Sequence, residues 1–194
     1  MESVKKKSII EAATKSFALF GYKATTMDQV SKIAKVGKGT IYTYFATKEE
    51  LLKEIINDIS IEMNDVASKA IVPGNSFVSN FNAALNGIVE FQEQHELTIK
   101  LSQEVKEIGT PVVVDALQSL EDEICHFIEV HIVKAIERGE LRQCEPKVTA
   151  FLMFKMYINL VNDWKDRHAP LPKQQVASLI NQYFIEGLAK QTKS

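Results

Sequence analysis

The chain has 194 residues, of which 45% are hydrophobic and 25% charged, with 8 Gly, 5 Pro and a formal net charge of -2. This composition excludes disordered, collagenous and disulfide-built proteins, and the chain is long enough to bury a core without cross-links. The average charge hides an asymmetry, because residues 1–48 carry nine lysines against Glu2, Glu11 and Asp28, a net charge of +6. The remainder therefore carries -8, and the sequence predicts a basic N-terminal module on an acidic body.

Apolar residues recur along the chain at spacings of three and four, and runs of strand-like alternation bounded by turn residues are missing. The sequence therefore predicts an all-α protein. Its N-terminal part indicates helices over residues 4–20, 26–35 and 38–45 and a longer helix over residues 48–70. Gly21 is the expected stop of the first helix. The expected inward face of that helix comprises Ile9, Ala13, Phe17 and Phe20.

A Pro-Gly-Asn break at residues 73–75 precedes the rest of the chain. Further helices are predicted over residues 76–94, 96–108, 111–138, 146–166 and 173–190. The stretch 148–164 is apolar almost all the way round, which is typical of a helix covered on more than one side. One face of the last helix carries the residues that we expect at a dimer interface with a second copy of the chain: Val176, Ile180, Tyr183, Phe184 and Gly187.

Residues 25–45 have the pattern of a helix-turn-helix. Thr26 and Gln29 form a capping-box pattern, which predicts a helix starting at Met27 with its positive dipole end free to hold a phosphate. Two short helices joined at Val36 and Gly37 are typical of a helix-turn-helix unit.

The outer face of the second of these short helices carries a lysine and short or hydroxyl-bearing residues. Such a surface suits a DNA groove, where small residues allow close approach and hydroxyls bind phosphate oxygens. An alternative for either tyrosine is packing in the core of the small module. The outward set comprises Lys38, Gly39, Thr40, Tyr42, Thr43 and Tyr44.

The residues Thr25-Thr26, Gly39-Thr40, Tyr42, Tyr44-Phe45, Lys48-Glu49 and Leu51 resemble, without gaps, the N-terminal signature of TetR/AcrR-type transcription regulators. The resemblance implies a helix-turn-helix DNA-binding domain over residues 1–47 and a helical ligand-binding and dimerisation domain over residues 48–194, entered through a linking helix, 48–70. It implies a homodimeric, ligand-responsive repressor that binds double-stranded operator DNA. It also implies that Thr26, Tyr42 and Lys48 position phosphates, and that Lys38, Gly39, Thr40 and Tyr44 face the groove.

Two residues of the turn depart from the family pattern, which usually has glycine at the position of Lys35 and often serine at that of Gly37. A left-handed lysine costs about 1–2 kcal/mol. We therefore expect a reshaped turn in which Gly37 takes the strained conformation and Lys35 supplies a charge to the DNA. Lys48 has the alternative of a solvated helix start, but a lysine there opposes the helix dipole unless an anion is near.

The body is rich in aromatic and flexible side chains, which suggests an apolar pocket for an apolar or amphiphilic effector. Ordinary core packing is the alternative for each of them. Lys155 and Asn159 are either polar anchors of this pocket or part of a solvent-facing stripe. The predicted pocket residues are Phe91, Phe127, Phe154, Lys155, Tyr157 and Asn159.

A metal enzyme is the competing class, because Glu123 and His126 have the E-x-x-H spacing of di-metal helical bundles. The sequence has no second such pair, so we expect no metal, no cofactor and no enzyme activity. Cys125 and Cys144 are expected to be reduced cytosolic thiols. Lys155 interrupts the most apolar later stretch, so we expect no membrane span and a cytoplasmic protein.

Overall fold

The computed structural model describes residues 2–186, with side chains throughout this range except at residues 2, 3, 92, 93, 162 and 185. This part of the chain is built of helices, as predicted. A π-helical stretch, Asn159–Asp163, and a 3-10 turn, Trp164–Asp166, follow α8, and a second π-helical stretch, Asn181–Ile185, follows α9. The α-helices are α1 Glu2–Phe20, α2 Met27–Ile33, α3 Lys38–Tyr44, α4 Lys48–Lys69, α5 Phe77–Gln94, α6 Glu96–Glu107, α7 Pro111–Glu137, α8 Pro146–Ile158 and α9 Lys173–Ile180.

The described chain falls into two compact units, residues 2–63 with 89–121 and residues 64–88 with 122–186. The helices of the first unit include α1, α2, α3 and α6, and α8 and α9 belong to the second. The predicted boundary at residue 47 divides the chain by function and stays a prediction. No helix within residues 2–186 combines the length and the apolarity that a bilayer span requires.

The core of the first unit forms where α1 packs against α2 and α6. Val30 of α2 and Ile41 of α3 are fully buried. Ile9 and Phe17 of α1 are fully buried as well, which confirms the predicted inward face of that helix at these two positions. Phe20 is an exception, because its side chain is exposed. The chain turns away at Gly21, and the ring of Tyr22 packs against Phe17 instead, with centroids 5.5 Å apart.

The turn between α2 and α3 contradicts the prediction that Gly37 would be strained. Lys35 has a φ of 55°, whereas Gly37 is extended, with φ -65° and ψ 148°. The end of α2 explains this, since Lys35 N–H bonds to the carbonyl of Lys32 and Val36 N–H to that of Ser31. This Schellman pattern places the left-handed residue directly after the cap residue Ala34. Gly37 must be extended because it caps α3.

In the second unit, α8 packs against α9 and buries one face, which includes Met153 and Tyr157. Its opposite face is open within a single chain, where Val148, Phe151 and Leu152 are exposed. The sequence predicts a helix that is covered on more than one side. Within a single chain, one side of α8 is covered and the opposite side is exposed.

The residues predicted for the dimer interface do not lie together on the surface. Val176 and Ile180 of α9 are buried inside the chain, since their side chains are 2% and 0% exposed. Tyr183 is exposed and Phe184 half-buried. The 3.6-residue periodicity that placed these residues on one face ends where α9 passes into the π-helical stretch that follows it. Gly187 lies outside the described residues.

Candidate nucleic-acid interface

Helix α2 starts at Thr26 with the predicted capping box. The Thr26 hydroxyl oxygen accepts from Gln29 N–H at 3.2 Å, and the Gln29 side-chain oxygen accepts from Thr26 N–H at 2.8 Å. Thr26 itself is exposed. Its hydroxyl also donates to the Gln29 side-chain oxygen at 3.2 Å, so the O–H must turn away from Gln29 to donate to a partner in front of the helix.

Helix α3 buries Ile41 and turns the rest of its length outward. Gly37 caps its start without a side chain, its carbonyl accepting from Thr40 N–H at 2.9 Å. The Thr43 hydroxyl donates to the carbonyl of Gly39 at 3.0 Å, so its oxygen keeps lone pairs for an outside donor. Lys38, Gly39, Tyr42 and Thr43 are exposed, and Thr40 and Tyr44 are half-buried.

The charges beside this face include one carboxylate. Asp28 lies 2.8 Å from the Lys32 ammonium and 3.7 Å from that of Lys38. The hydrogen bond and charge of Lys32, with a smaller contribution from Lys38, lower the pKa of Asp28. Asp28 therefore stays ionised and offsets part of the local positive charge, while Lys35 is exposed nearby in the chain.

Lys48 is not the solvated helix start of the alternative interpretation, because its ammonium bonds to the protein itself. It donates to the carbonyls of Tyr22 and Thr25, each at 2.7 Å, and sits 4.2 Å from the centroid of the Tyr22 ring. Burial lowers the pKa of Lys48, and the charge of Glu104 opposes that shift. Two of its three N–H groups are used internally, so at most one is left for a phosphate.

The second unit contains a cavity of about 320 Å³. Phe127 is the one predicted pocket residue among its described lining residues. Polar side chains that line the cavity are already hydrogen-bonded within the protein. Asn80 bonds to the backbone of Val72, and Glu140 accepts from Phe77 N–H and from Arg138. The residues that line the cavity include Phe81, Ala84, Phe127, His131, Arg138 and Glu140.

The other predicted pocket residues lie elsewhere. Phe154 and Tyr157 are buried on the inner face of α8, where the Tyr157 hydroxyl donates to Asn86 at 2.7 Å. Lys155 stands 5.5 Å from the Phe151 ring centroid, and Asn159 is exposed. Phe91 belongs to the first unit and stacks on His95.

The metal-enzyme alternative finds no support in the geometry. Glu123 and His126 are both exposed on α7, and His126 lies 3.6 Å from Glu129 rather than beside a second E-x-x-H pair. Among the described residues, no three His, Cys, Asp or Glu side chains are grouped as metal ligands would be. An interior di-metal site needs carboxylates that point into the bundle.

Comparison with known proteins finds similarity to transcriptional regulators. Residues 9–55 match the model of the family described as bacterial regulatory proteins, tetR family. The HTH-type transcriptional regulator YhgD of Bacillus subtilis is 48% identical over 95% of this chain and 97% of its own. Two solved structures share the fold at 18% identity. Salmonella enterica GusR has a TM-score of 0.72 over 94% of this chain and 95% of its own. The fatty acid degradation regulator FadR of Bacillus halodurans has 0.69 over 93% and 94%.

Proposed function

Because this chain belongs to the TetR family of helix-turn-helix transcriptional regulators, we propose that it is a homodimeric repressor that an effector releases from its operator. The family consists of DNA-binding regulators and not of enzymes. The proposed operator is pseudo-palindromic, and the proposed effector is a small apolar or amphiphilic molecule. As a regulator of bacterial type, it would act on DNA in the cytoplasm.

The outward face of α3 is the observation that carries the DNA-binding part. This face presents short, hydroxyl-bearing and cationic side chains on a seven-residue helix that buries Ile41. A recognition helix needs such side chains to reach base edges in the major groove. We assign base-edge contacts to Lys38, Gly39, Thr40 and Tyr44. Phosphate contacts are assigned to Thr26, Lys35, Tyr42 and the remaining N–H of Lys48. The Thr43 oxygen, whose hydroxyl donates to Gly39, is assigned to a donor group of a base.

The exposed apolar face of α8 supports the dimer. Phe151 and Leu152 are each 47% exposed, with Val148 one turn before them, and Tyr183 beyond α9 is 66% exposed. Clustered apolar side chains on a surface mark a protein contact. A two-fold dimer through this face presents two recognition helices, and half-sites about 34–36 Å apart then match one turn of DNA.

The cavity of the second unit supports the effector part, and His131 suggests its chemistry. The His131 Nδ1 lies 2.8 Å from the carbonyl oxygen of Phe127. Because that oxygen only accepts, Nδ1 is the donor, and Nε2 accepts when the ring is neutral. The walls around it are mainly apolar. We therefore propose an apolar effector with one hydrogen-bond donor, such as a hydroxyl group.

Selection of bound sequences from a random DNA pool tests the DNA-binding part, because it reports binding, symmetry and half-site spacing together. We expect a pseudo-palindrome, and an affinity for it whose logarithm falls by roughly 0.9 per neutralised phosphate against the logarithm of salt concentration. Enrichment of no sequence, or of a site without two-fold symmetry, contradicts the proposal.

A pair of matched probes tests the effector part, namely 4-propylphenol and its methyl ether. The phenol should raise the melting temperature more than the ether, since the ether leaves the acceptor of His131 unpaired. Ala84→Leu, which fills the cavity, should abolish both shifts while DNA affinity is retained. Effector and operator should weaken each other by the same factor. Equal shifts for both probes would contradict the role of His131, and unchanged shifts in Ala84→Leu would place the site elsewhere.

A further inference from the structure

The turn between α1 and α2, residues 21–25, is held by a carboxylate from a distant part of the sequence. Glu104 of α6 accepts from Tyr22 N–H at 2.7 Å and from Lys23 N–H at 3.2 Å. The Thr110 hydroxyl donates to the same carboxylate at 2.8 Å. Glu104 is buried, with only 5% of the residue exposed. This carboxylate therefore satisfies the backbone donors of the turn from inside the first unit.

The position of Glu104 on α6 would suit an apolar residue. Leu97 and Leu101, seven and three residues before it, share its buried face. A buried carboxylate is costly unless every oxygen is bonded, and packed apolar residues often serve stability as well or better. The carboxylate at this position is therefore better explained by what it binds than by stability alone.

Lys48 holds the same turn from its acceptor side. Its ammonium bonds to the carbonyls of Tyr22 and Thr25, whereas Glu104 bonds to N–H groups of Tyr22 and Lys23. The opposite charges of Glu104 and Lys48 also interact with each other. The turn is thus fixed between an anion on its donors and a cation on its acceptors.

Gly21 shows how closely the carboxylate approaches. A Cβ at this position would lie 2.6 Å from the Glu104 oxygen, and Gly21 also has a φ of 82°. Thr25 ends the turn, and the next residue, Thr26, caps α2. Whatever fixes this turn therefore fixes the point from which the helix-turn-helix starts.

We propose that Glu104, with Lys48 as its counter-charge, is a positioning residue for DNA binding. It makes no DNA contact, but it sets the orientation in which α2 and α3 meet the operator. This inference rests on the proposed DNA-binding function and deepens it, because it makes operator affinity depend on a side chain of α6.

The test compares Glu104→Gln with two matched controls. Glu107→Gln makes the same chemical change at an exposed site of the same helix, and Thr110→Val removes a donor to Glu104 without touching the turn. Operator affinity is measured at a temperature where circular dichroism shows each variant to be folded. We expect a loss of about tenfold for Glu104→Gln, as for one hydrogen-bonded charge. Less than a twofold change is expected for Glu107→Gln.

Amide hydrogen exchange without DNA separates positioning from general stability. In Glu104→Gln the amides of Tyr22 and Lys23 should exchange at least tenfold faster, while those of α6 change much less. Glu104→Asp keeps the charge and should restore part of both properties. It also carries the test if Glu104→Gln does not fold.

Three outcomes overturn the proposal. The first is a folded Glu104→Gln that binds the operator within twofold of the wild type. The second is an equal loss of affinity in Thr110→Val at matched stability. The third is unchanged exchange at Tyr22 and Lys23. Failure of the wild type to bind any DNA would contradict the proposed function and this inference with it. The exchange result is independent of DNA, because it reports only whether Glu104 holds the turn 21–25.

Discussion

Lys35 holds a left-handed conformation that glycine adopts at little cost. Its φ of 55° is the one positive value at a non-glycine residue in the described part of the chain. The strain persists because α2 ends in two bonds that fix this residue's backbone. The same conformation places an exposed lysine in the turn of the helix-turn-helix. The proposed contact of this lysine with a phosphate would explain why the strained residue is not glycine.

Replacing Lys35 by glycine should therefore stabilise the fold and weaken DNA binding. We expect the free energy of unfolding to rise by roughly 0.5–1 kcal/mol, because the strain is relieved in part against the greater freedom of an unfolded glycine. Denaturant unfolding measures this. Lys32→Gly is the matched control, since the same change inside α2 should cost about 1 kcal/mol. Destabilisation by both variants would show that residue 35 is not strained.

Thr26 combines two roles that one substitution can separate. An aspartate caps a helix as well as threonine does and suits the helix dipole, but it repels phosphate. Thr26→Asp should keep the melting temperature within a few degrees and lower operator affinity by about tenfold or more. Thr26→Ser, which keeps cap and neutrality, should change neither. If Thr26→Asp binds the operator like the wild type, Thr26 does not face a phosphate.

At the scale of elements, the start of α5 depends on a carboxylate from beyond the end of α7. Glu140 accepts from Phe77 N–H at 2.6 Å and from Arg138 at 2.6 Å. Burial raises the pKa of Glu140, but the Phe77 N–H and then Arg138 outweigh it, so the pKa lies below the ordinary 4.5. A lowered carboxyl pKa stabilises the fold above the ordinary value, and this contribution is lost as the pH falls through the lowered value.

Glu140→Gln should accordingly destabilise the protein by up to about 1 kcal/mol at pH 7. The difference from the wild type should shrink as the pH falls below about 4.5. Denaturant unfolding at a series of pH values measures it, and Glu137→Gln, an exposed neighbour, should show almost no difference at any pH. A difference that stays constant in acid would mean that ionised Glu140 does not support α5.

At the scale of the whole molecule, the proposed dimer depends on the exposed face of α8. Leu152→Glu places a charge in the centre of this face and should convert a dimer into a monomer at micromolar concentration. Sedimentation velocity measures the mass. Ile61→Glu alters another exposed apolar residue, on α4, and should leave the dimer intact. A monomeric wild type would remove the two-fold operator from the proposal.

The sequence by itself determined the helices and the chemistry of the interface. Apolar periodicity marked where each helix runs, because a helix buries one face, and the Thr26–Gln29 pair fixed the start of α2 because a cap acts over three residues. Residue types on α3, with the resemblance they carry, predicted the side that we propose to face DNA. These signals are local, so they can be read from neighbouring residues in the chain.

Only the tertiary structure decided which side chains hold the module in place. Lys48 bonds to Tyr22 across 26 positions, and Glu104 bonds to Tyr22 across 82 positions. It also decided that Lys35 rather than Gly37 is left-handed and that Val176 and Ile180 face inward. Periodicity states that a face is buried but not which helix covers it. A charged residue on such a face acquires its role only when packing brings its partners within hydrogen-bond distance.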